Sequence, residues 1–205
     1  MSEKVKYIKY CVFHPFDGFY EAKNRGRGSL IAATVLLCLY GILQCVKVQY
    51  TGFIMNFNHI TRMNSVTIFI SSLSVMLLFV ISNWTTTTLF EGKGKLKHIY
   101  MVTCYSLLPI IFIDTIVVFA SNFVISEETV ILTALSTMGM VWFCFLIVTG
   151  LCTIHEFSLA KTLVTLVVTA FAALIILFLG VLFLSLLEQM FQFLYIFIKE
   201  LMRRI

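Results

Sequence analysis

Charged residues are scarce in this sequence. Lys, Arg, Asp and Glu together make up 12% of the 205 residues, whereas about a quarter is usual in a soluble domain. Only two prolines are present, and no Pro-, Gly- or Ser-rich stretch divides the chain. The shortage of charge excludes an ordinary soluble domain, and the absence of linker-like stretches indicates a single unit.

Motifs for metal binding and catalysis are also absent. The six cysteines include no C-x-x-C pair, which argues against a zinc site or a disulfide framework. The stretch HEFSL, which starts at His155, lacks the second histidine of a zincin motif, and EGKGK, which starts at Glu91, lacks the full P-loop pattern. No hydrolase elbow or catalytic triad can be assembled. We therefore expect no enzymatic activity, no cofactor and no metal.

Hydrophobic residues make up 60% of the chain, and they are concentrated in long runs. Each run is long enough to cross about 30 Å of hydrocarbon as a helix. Five spans are predicted, at residues 28–47, 66–90, 98–122, 129–153 and 159–187. The sequence therefore predicts an all-α, polytopic membrane protein with five transmembrane helices.

The two ends of the chain are predicted to be interfacial segments that flank a membrane-spanning domain of residues 28–187. Residues 1–27 mix lysines with Tyr and Phe, which suit the headgroup region, and Pro15 is expected to interrupt any helix there. In residues 188–205 polar side chains recur every three or four positions, which indicates an amphipathic helix on the outer membrane surface. The alternative is a long fifth span that projects from the membrane.

Lysine and arginine are distributed unequally between the two sides of the membrane. Residues 1–27, the loop at 91–97 and Lys161 carry ten of the fifteen. This bias favours a cytoplasmic N-terminus and an outward C-terminus. The net charge of +5 is explained by this topology and by lipid contact, without nucleic-acid binding.

Asp114 is an ionisable residue within a predicted span, which makes it a candidate functional residue by default. A helical rise of 1.5 Å per residue places it about 24 Å from the cytoplasmic end of its span. Thr137 of the fourth span lies at a similar depth. The acid can anchor helix packing, handle a proton or ion, or bind a partner. The residues predicted to form an intramembrane polar layer with it are Gln44, Lys47, Ser71, Ser72 and Ser74.

A second polar group is predicted at the cytoplasmic boundary. Its members are His14, Asp17, His98, His155 and Glu156. Histidine and carboxylate from separate segments can bind a metal. Such residues more often mark the headgroup level or cap helix ends, and we favour that interpretation.

The stretch CYSLLP, residues 104–109, resembles the GYSLLP signature in the third span of the Yip family, the Ypt-interacting proteins. Tyr105 and Pro109 are signature residues, and Pro109 is expected to kink its span. The stretches HPFDGFYEAKNRGRGSL and NWTTTTLFEGKGKLKHIY are similar to the matching parts of short bacterial members. The resemblance covers residues 13–188 and implies five spans, a cytoplasmic N-terminus and a short outward tail, in a bacterial plasma membrane.

The chain departs from the family pattern in ways that bear on its partners. Cys104 replaces the glycine of the signature, and the DLYGP box and the long cytoplasmic arm of eukaryotic members are missing. Those members are associated with small GTPases, so the departures argue against a small-GTPase partner. The resemblance implies a non-enzymatic scaffold or accessory subunit whose partners are the lipid bilayer and other membrane proteins, such as sugar ABC transporter permeases. The alternative is a small-solute or ion transporter or channel that uses Asp114.

Overall fold

A computed structural model describes residues 2–56 and 64–204. Arg62, one of the five lysines and arginines outside the predicted cytoplasmic group of ten, lies outside the described residues. The described residues form helices and no strand, which confirms the all-α class. The helices are α1 (Ser2–Phe13), α2 (Pro15–Asn24), α3 (Leu30–Tyr50), α4 (Ser65–Leu89), α5 (Leu96–Ser106), α6 (Leu108–Ala120), α7 (Thr129–His155) and α8 (Leu159–Arg204).

Five stretches of helix are long and apolar enough to cross a membrane, as predicted. They are Leu30–Tyr50, Ser65–Leu89, Leu96–Ala120, Ser126–His155 and Leu159–Arg203. Polar caps define where two of them begin: the side chains of Ser29 and Asn64 accept hydrogen bonds from the first turns of α3 and α4. The third span is the central one, since 56% of an apolar 18-residue stretch within it is buried, against 6–28% for such stretches in the others.

The third span is interrupted where the sequence predicted a kink. Helix α5 ends at Ser106 and α6 begins at Leu108, with Pro109 in its first turn. Proline has no amide hydrogen, so the carbonyl of Tyr105 loses its usual partner four residues on. The turn tightens instead, and the Leu107 amide donates to the Cys104 carbonyl at 3.3 Å. The break therefore lies at the level of the buried Tyr105 and Leu107.

The N-terminal segment is a helical hairpin. Pro15 occupies the first position of α2 and separates it from α1. The two helices approach closely at Gly18, where a Cβ atom would lie 2.7 Å from the Cα of Cys11. The Tyr7 hydroxyl also donates to the Gly18 carbonyl at 2.7 Å. The hairpin packs on α5 and α7 through buried side chains such as Phe19 and leaves an aromatic outer face exposed.

Helix α8 corrects the prediction for the C-terminus. It continues for 46 residues without a break near residue 188, so the separate amphipathic helix predicted for residues 188–205 is absent over the described part, up to Arg204. The segment has no proline and no glycine after Gly180, and the Gln192 side chain donates to Glu188 one turn earlier. Nothing local ends the helix. The arrangement is one long fifth helix, which was the alternative.

Candidate functional site

Asp114 lies at the junction of three helices. It is on α6 and only 5% exposed. One carboxylate oxygen accepts a hydrogen bond from the Lys47 ammonium of α3 at 2.7 Å. The other accepts from the Ser136 hydroxyl of α7 at 3.0 Å. A buried carboxylate is tolerated when it is paired and hydrogen-bonded, so this residue links α3, α6 and α7.

The positive charge of Lys47 is stabilised both by the Asp114 carboxylate and by the dipole of its own helix. It lies in the last turn of α3, where the negative end of the helix dipole favours a cation. Its side chain is 39% exposed, whereas that of Asp114 is 7% exposed. The ammonium group can therefore reach the surface of the bundle, while the carboxylate cannot.

Only part of the predicted polar layer is brought together. The ion pair between Lys47 and Asp114 is present, and Gln44 lines the same cavity as Lys47. The three serines do not reach Asp114. Their hydroxyls donate instead to carbonyl groups of their own helix three or four residues earlier, a common arrangement for serine in a helix. The residues concerned are Ser71, Ser72 and Ser74.

Ser136 is the partner that sequence reasoning missed. The depth count pointed to Thr137, its neighbour on α7, but Thr137 is exposed and donates to the Thr133 carbonyl. One residue along a helix is a rotation of about 100°. The predicted depth in the membrane was therefore correct, and the predicted face of α7 was wrong.

A cavity of about 330 Å³ lies beside the ion pair. Met55 and valines of α3 and α6 form the apolar part of its wall. The polar lining residues are Gln44, Lys47, Thr51, Asn56, Thr133 and Ser136. This cavity offers a small polar molecule an approach to the Lys47 end of the ion pair.

At the opposite end of the bundle, Glu156 joins three segments. It follows α7 in the left-handed conformation, with φ of 58°. Its two carboxylate oxygens accept hydrogen bonds from Lys23 of α2 at 2.7 Å and from Lys93 of the α4–α5 loop at 2.6 Å. These hydrogen bonds lower the pKa of Glu156 to about 2, and the bond from Lys23 contributes more than the bond from Lys93. We call this arrangement the Glu156 latch.

His155 is buried beneath the latch. Its Nδ1 atom accepts a hydrogen bond from the Gly94 amide at 3.3 Å, and its ring stacks on Phe157. A Cβ atom on Gly94 would lie 2.7 Å from the imidazole, so only glycine allows this approach. His155 therefore packs against the α4–α5 loop and helps to close this end of the bundle.

The remaining residues of the predicted boundary group have separate surroundings. His14 is exposed and stacks on Tyr10, Asp17 is exposed on α2, and His98 is buried on α5. Among the described residues, no group of three His, Cys, Asp or Glu side chains could hold a metal ion. The capping and packing interpretation of this group therefore stays a prediction.

The signature residues of the third span also have structural contacts. Tyr105 is buried, and its hydroxyl donates to the Ser29 carbonyl at 3.1 Å and accepts from the Ser29 amide at 2.9 Å. Tyr105 therefore fixes the start of α3 against α5, two residues before the break set by Pro109.

The sequence profile of the Yip1 domain matches residues 9–182. The chain belongs to this family. No curated protein and no solved structure matches it. The Yip1 domain thus runs from the middle of α1 into α8, and the last 22 described residues of α8, 183–204, lie beyond the match.

The polar contact between α4 and α8 is a further candidate site, and it was not predicted. Asn83 is fully buried, and its side-chain amide donates to the Thr169 hydroxyl at 3.1 Å. The signal available was a polar run, NWTTTT, inside an apolar span, together with threonines spaced three and four residues apart on α8. The buried residues of this polar seam are Ser82, Asn83, Thr86, Thr87, Thr162, Thr165 and Thr169.

Proposed function

We propose that this Yip1-domain protein is a non-enzymatic membrane scaffold or accessory subunit. It binds other membrane proteins through residues 183–204, which we call the outer part of α8. The observation that carries this proposal is the long unpartnered length of that helix. Its last buried side chain in the described chain is Thr169, and the helix continues to Arg204. Members of the family are not known as enzymes.

The length of α8 exceeds what a bilayer needs. At 1.5 Å per residue, 46 residues extend about 69 Å, whereas a bilayer with its headgroups is about 40–45 Å thick. A helix that enters the membrane at Leu159 therefore leaves it near residue 188. Beyond that point Phe191, Leu194 and Phe197 are still exposed. Apolar side chains in water favour association with a partner.

The partner class that the resemblance implies is another multi-span protein, such as the permease subunit of a sugar ABC transporter. Helix association in membranes depends on close packing and on hydrogen bonds between helices. Since the described part of the chain buries no α8 side chain between Thr169 and Arg204, this surface is available for such packing.

Co-purification from the native membrane in a mild detergent tests this proposal. We expect one membrane protein to co-purify in a fixed ratio, and Phe197→Ser to remove it. Phe112→Ser is the matched control, because Phe112 is also exposed but lies on α6. No stoichiometric partner, or equal loss with both variants, would contradict the proposal.

The cavity beside Asp114 favours a second candidate, a transporter or channel for a small solute or ion. A specific, saturable flux in liposomes that Asp114→Asn abolishes would support this alternative. The scaffold proposal predicts that neither protons nor small sugars cross faster than in empty vesicles.

A further inference from the structure

Three buried side-chain oxygens on α4 have no hydrogen-bond partner among the described residues. They are Ser82 Oγ, Asn83 Oδ1 and Thr86 Oγ1, and each side chain is at most 1% exposed. Residues three and four apart lie on one face of a helix, with Cβ atoms about 5–6 Å apart. Three unpaired oxygens therefore occupy a single turn of the bundle interior.

The hydroxyl groups of Ser82 and Thr86 differ from six other hydroxyl groups on α4. Ser71, Ser72, Ser74, Thr85, Thr87 and Thr88 all donate to a backbone carbonyl three or four residues earlier. Ser82 and Thr86 are fully buried and make no such bond. Their protons are therefore free for an acceptor in the interior.

The orientation of the Asn83 amide follows from its neighbour on α8. The Thr169 hydroxyl already donates its proton to the Thr165 carbonyl at 2.7 Å. It can then only accept, so the NH₂ group of Asn83 must face it, at 3.1 Å. This arrangement leaves Asn83 Oδ1 as an acceptor that still needs a donor.

We propose that these three groups form a binding site for one ordered water molecule within the membrane-spanning bundle. The water accepts protons from Ser82 and Thr86 and donates one to Asn83, so each unpaired group gains a partner. A buried water needs two to four polar partners, and the site supplies three.

A monovalent cation does not fit the same groups. Bound to the oxygens, it would leave both hydroxyl protons without an acceptor. Helix α4 contains no acidic residue, and the first acid of α8 is Glu188, far along the helix from Thr169. An unneutralised charge in the interior is costly. The chemistry of the site therefore selects a neutral molecule that both donates and accepts.

The site bears on how α8 is held. Helix α8 packs mainly on α4, and the Asn83–Thr169 hydrogen bond lies within that contact. The water would hold the Asn83 side chain in the orientation that reaches Thr169. The water site does not depend on whether α8 binds a partner.

The double variant Ser82→Ala/Thr86→Val tests the proposal by the direction of its effect. It removes both hydroxyls and nearly preserves volume. If water is bound, the variant leaves the water and Asn83 poorly paired, and the melting temperature falls by about 4–8 °C. If the site is dry, the variant removes two unpaired buried hydroxyls, and the melting temperature is unchanged or rises, which would overturn the proposal.

The matched control is Ser74→Ala/Thr88→Val, since both residues are exposed on the same helix and bond to their own backbone. We expect it to shift the melting temperature by less than about 2 °C. A high-resolution density map gives a second readout. One peak within hydrogen-bond distance of all three atoms supports the proposal, whereas no peak, or a peak with the short contacts of a cation, contradicts it.

Discussion

Removing either partner of the Lys47–Asp114 ion pair is expected to have unequal effects. In Asp114→Asn, the amide oxygen can still accept from Ser136, and Lys47 is exposed enough to turn its ammonium group to water. In Lys47→Met, the carboxylate remains buried and loses its counter-charge. The lysine variant should therefore be the less stable one.

The exposed fractions of the two side chains determine how much stability each variant is expected to lose. Breaking a fully buried ion pair costs about 3–5 kcal/mol. Because the lysine is partly exposed, we reduce this to about 2–4 kcal/mol for Lys47→Met and to about 1 kcal/mol for Asp114→Asn. Asp114→Leu also removes the Ser136 contact and should cost about 2 kcal/mol. A chain of this size loses about 2–4 °C of melting temperature per kcal/mol.

Thermal unfolding of the purified protein in one detergent, followed for the single and double variants, measures these costs. Lys47→Met/Asp114→Asn should be about as stable as Asp114→Asn alone, since the unpaired carboxylate is then gone. Equal effects of the two single variants, or simple additivity in the double variant, would refute the ion-pair reasoning.

Four further predictions follow, three from other contacts and one from the distribution of lysine and arginine. Tyr105→Phe removes both hydrogen bonds to Ser29 and should lower the melting temperature by about 3–6 °C; an unchanged value would contradict its anchoring role. The pKa of Glu156 is depressed from 4.5 to about 2. The latch therefore stabilises the fold above pH 4.5 and loses that contribution as the pH falls toward 2. A wild-type stability that does not change between pH 4.5 and pH 2 would contradict this role of the latch. At neutral pH, Glu156→Gln should speed labelling of the buried Cys11, whose burial raises its thiol pKa to about 11; labelling at the wild-type rate would show that the latch does not hold the hairpin. Impermeant cysteine labelling should place the 91–97 loop inside and the C-terminus outside, and a cytoplasmic C-terminus would overturn the orientation.

The number and order of spans could be predicted because they depend on hydrophobic length alone. Any helical segment that crosses the bilayer must satisfy its backbone internally and expose apolar side chains. The break at Pro109 could also be predicted, since a missing amide hydrogen acts locally. The extent of α8 was predicted wrongly although its signal was present, since a helix ends at a breaking or capping residue and the stretch after Gly180 has neither proline nor glycine.

The Lys47–Asp114 ion pair could be predicted from depth in the membrane. The third residue of the site, Ser136, could not. Counting residues along a helix gives the level in the membrane and leaves the rotation of the helix undetermined. That rotation is set by packing, which is why Ser136 and not Thr137 reaches Asp114. The same limit hid the Asn83–Thr169 contact, since it joins residues 86 positions apart.

Photo-crosslinking along the outer part of α8 in native membranes is the most direct test of the scaffold proposal. A crosslinker placed at each position from 183 to 202 should capture one and the same membrane protein, at positions that recur every three or four residues, because a partner helix covers one face. Crosslinks to lipid alone, or capture without helical periodicity, would contradict the proposal that α8 is a docking helix.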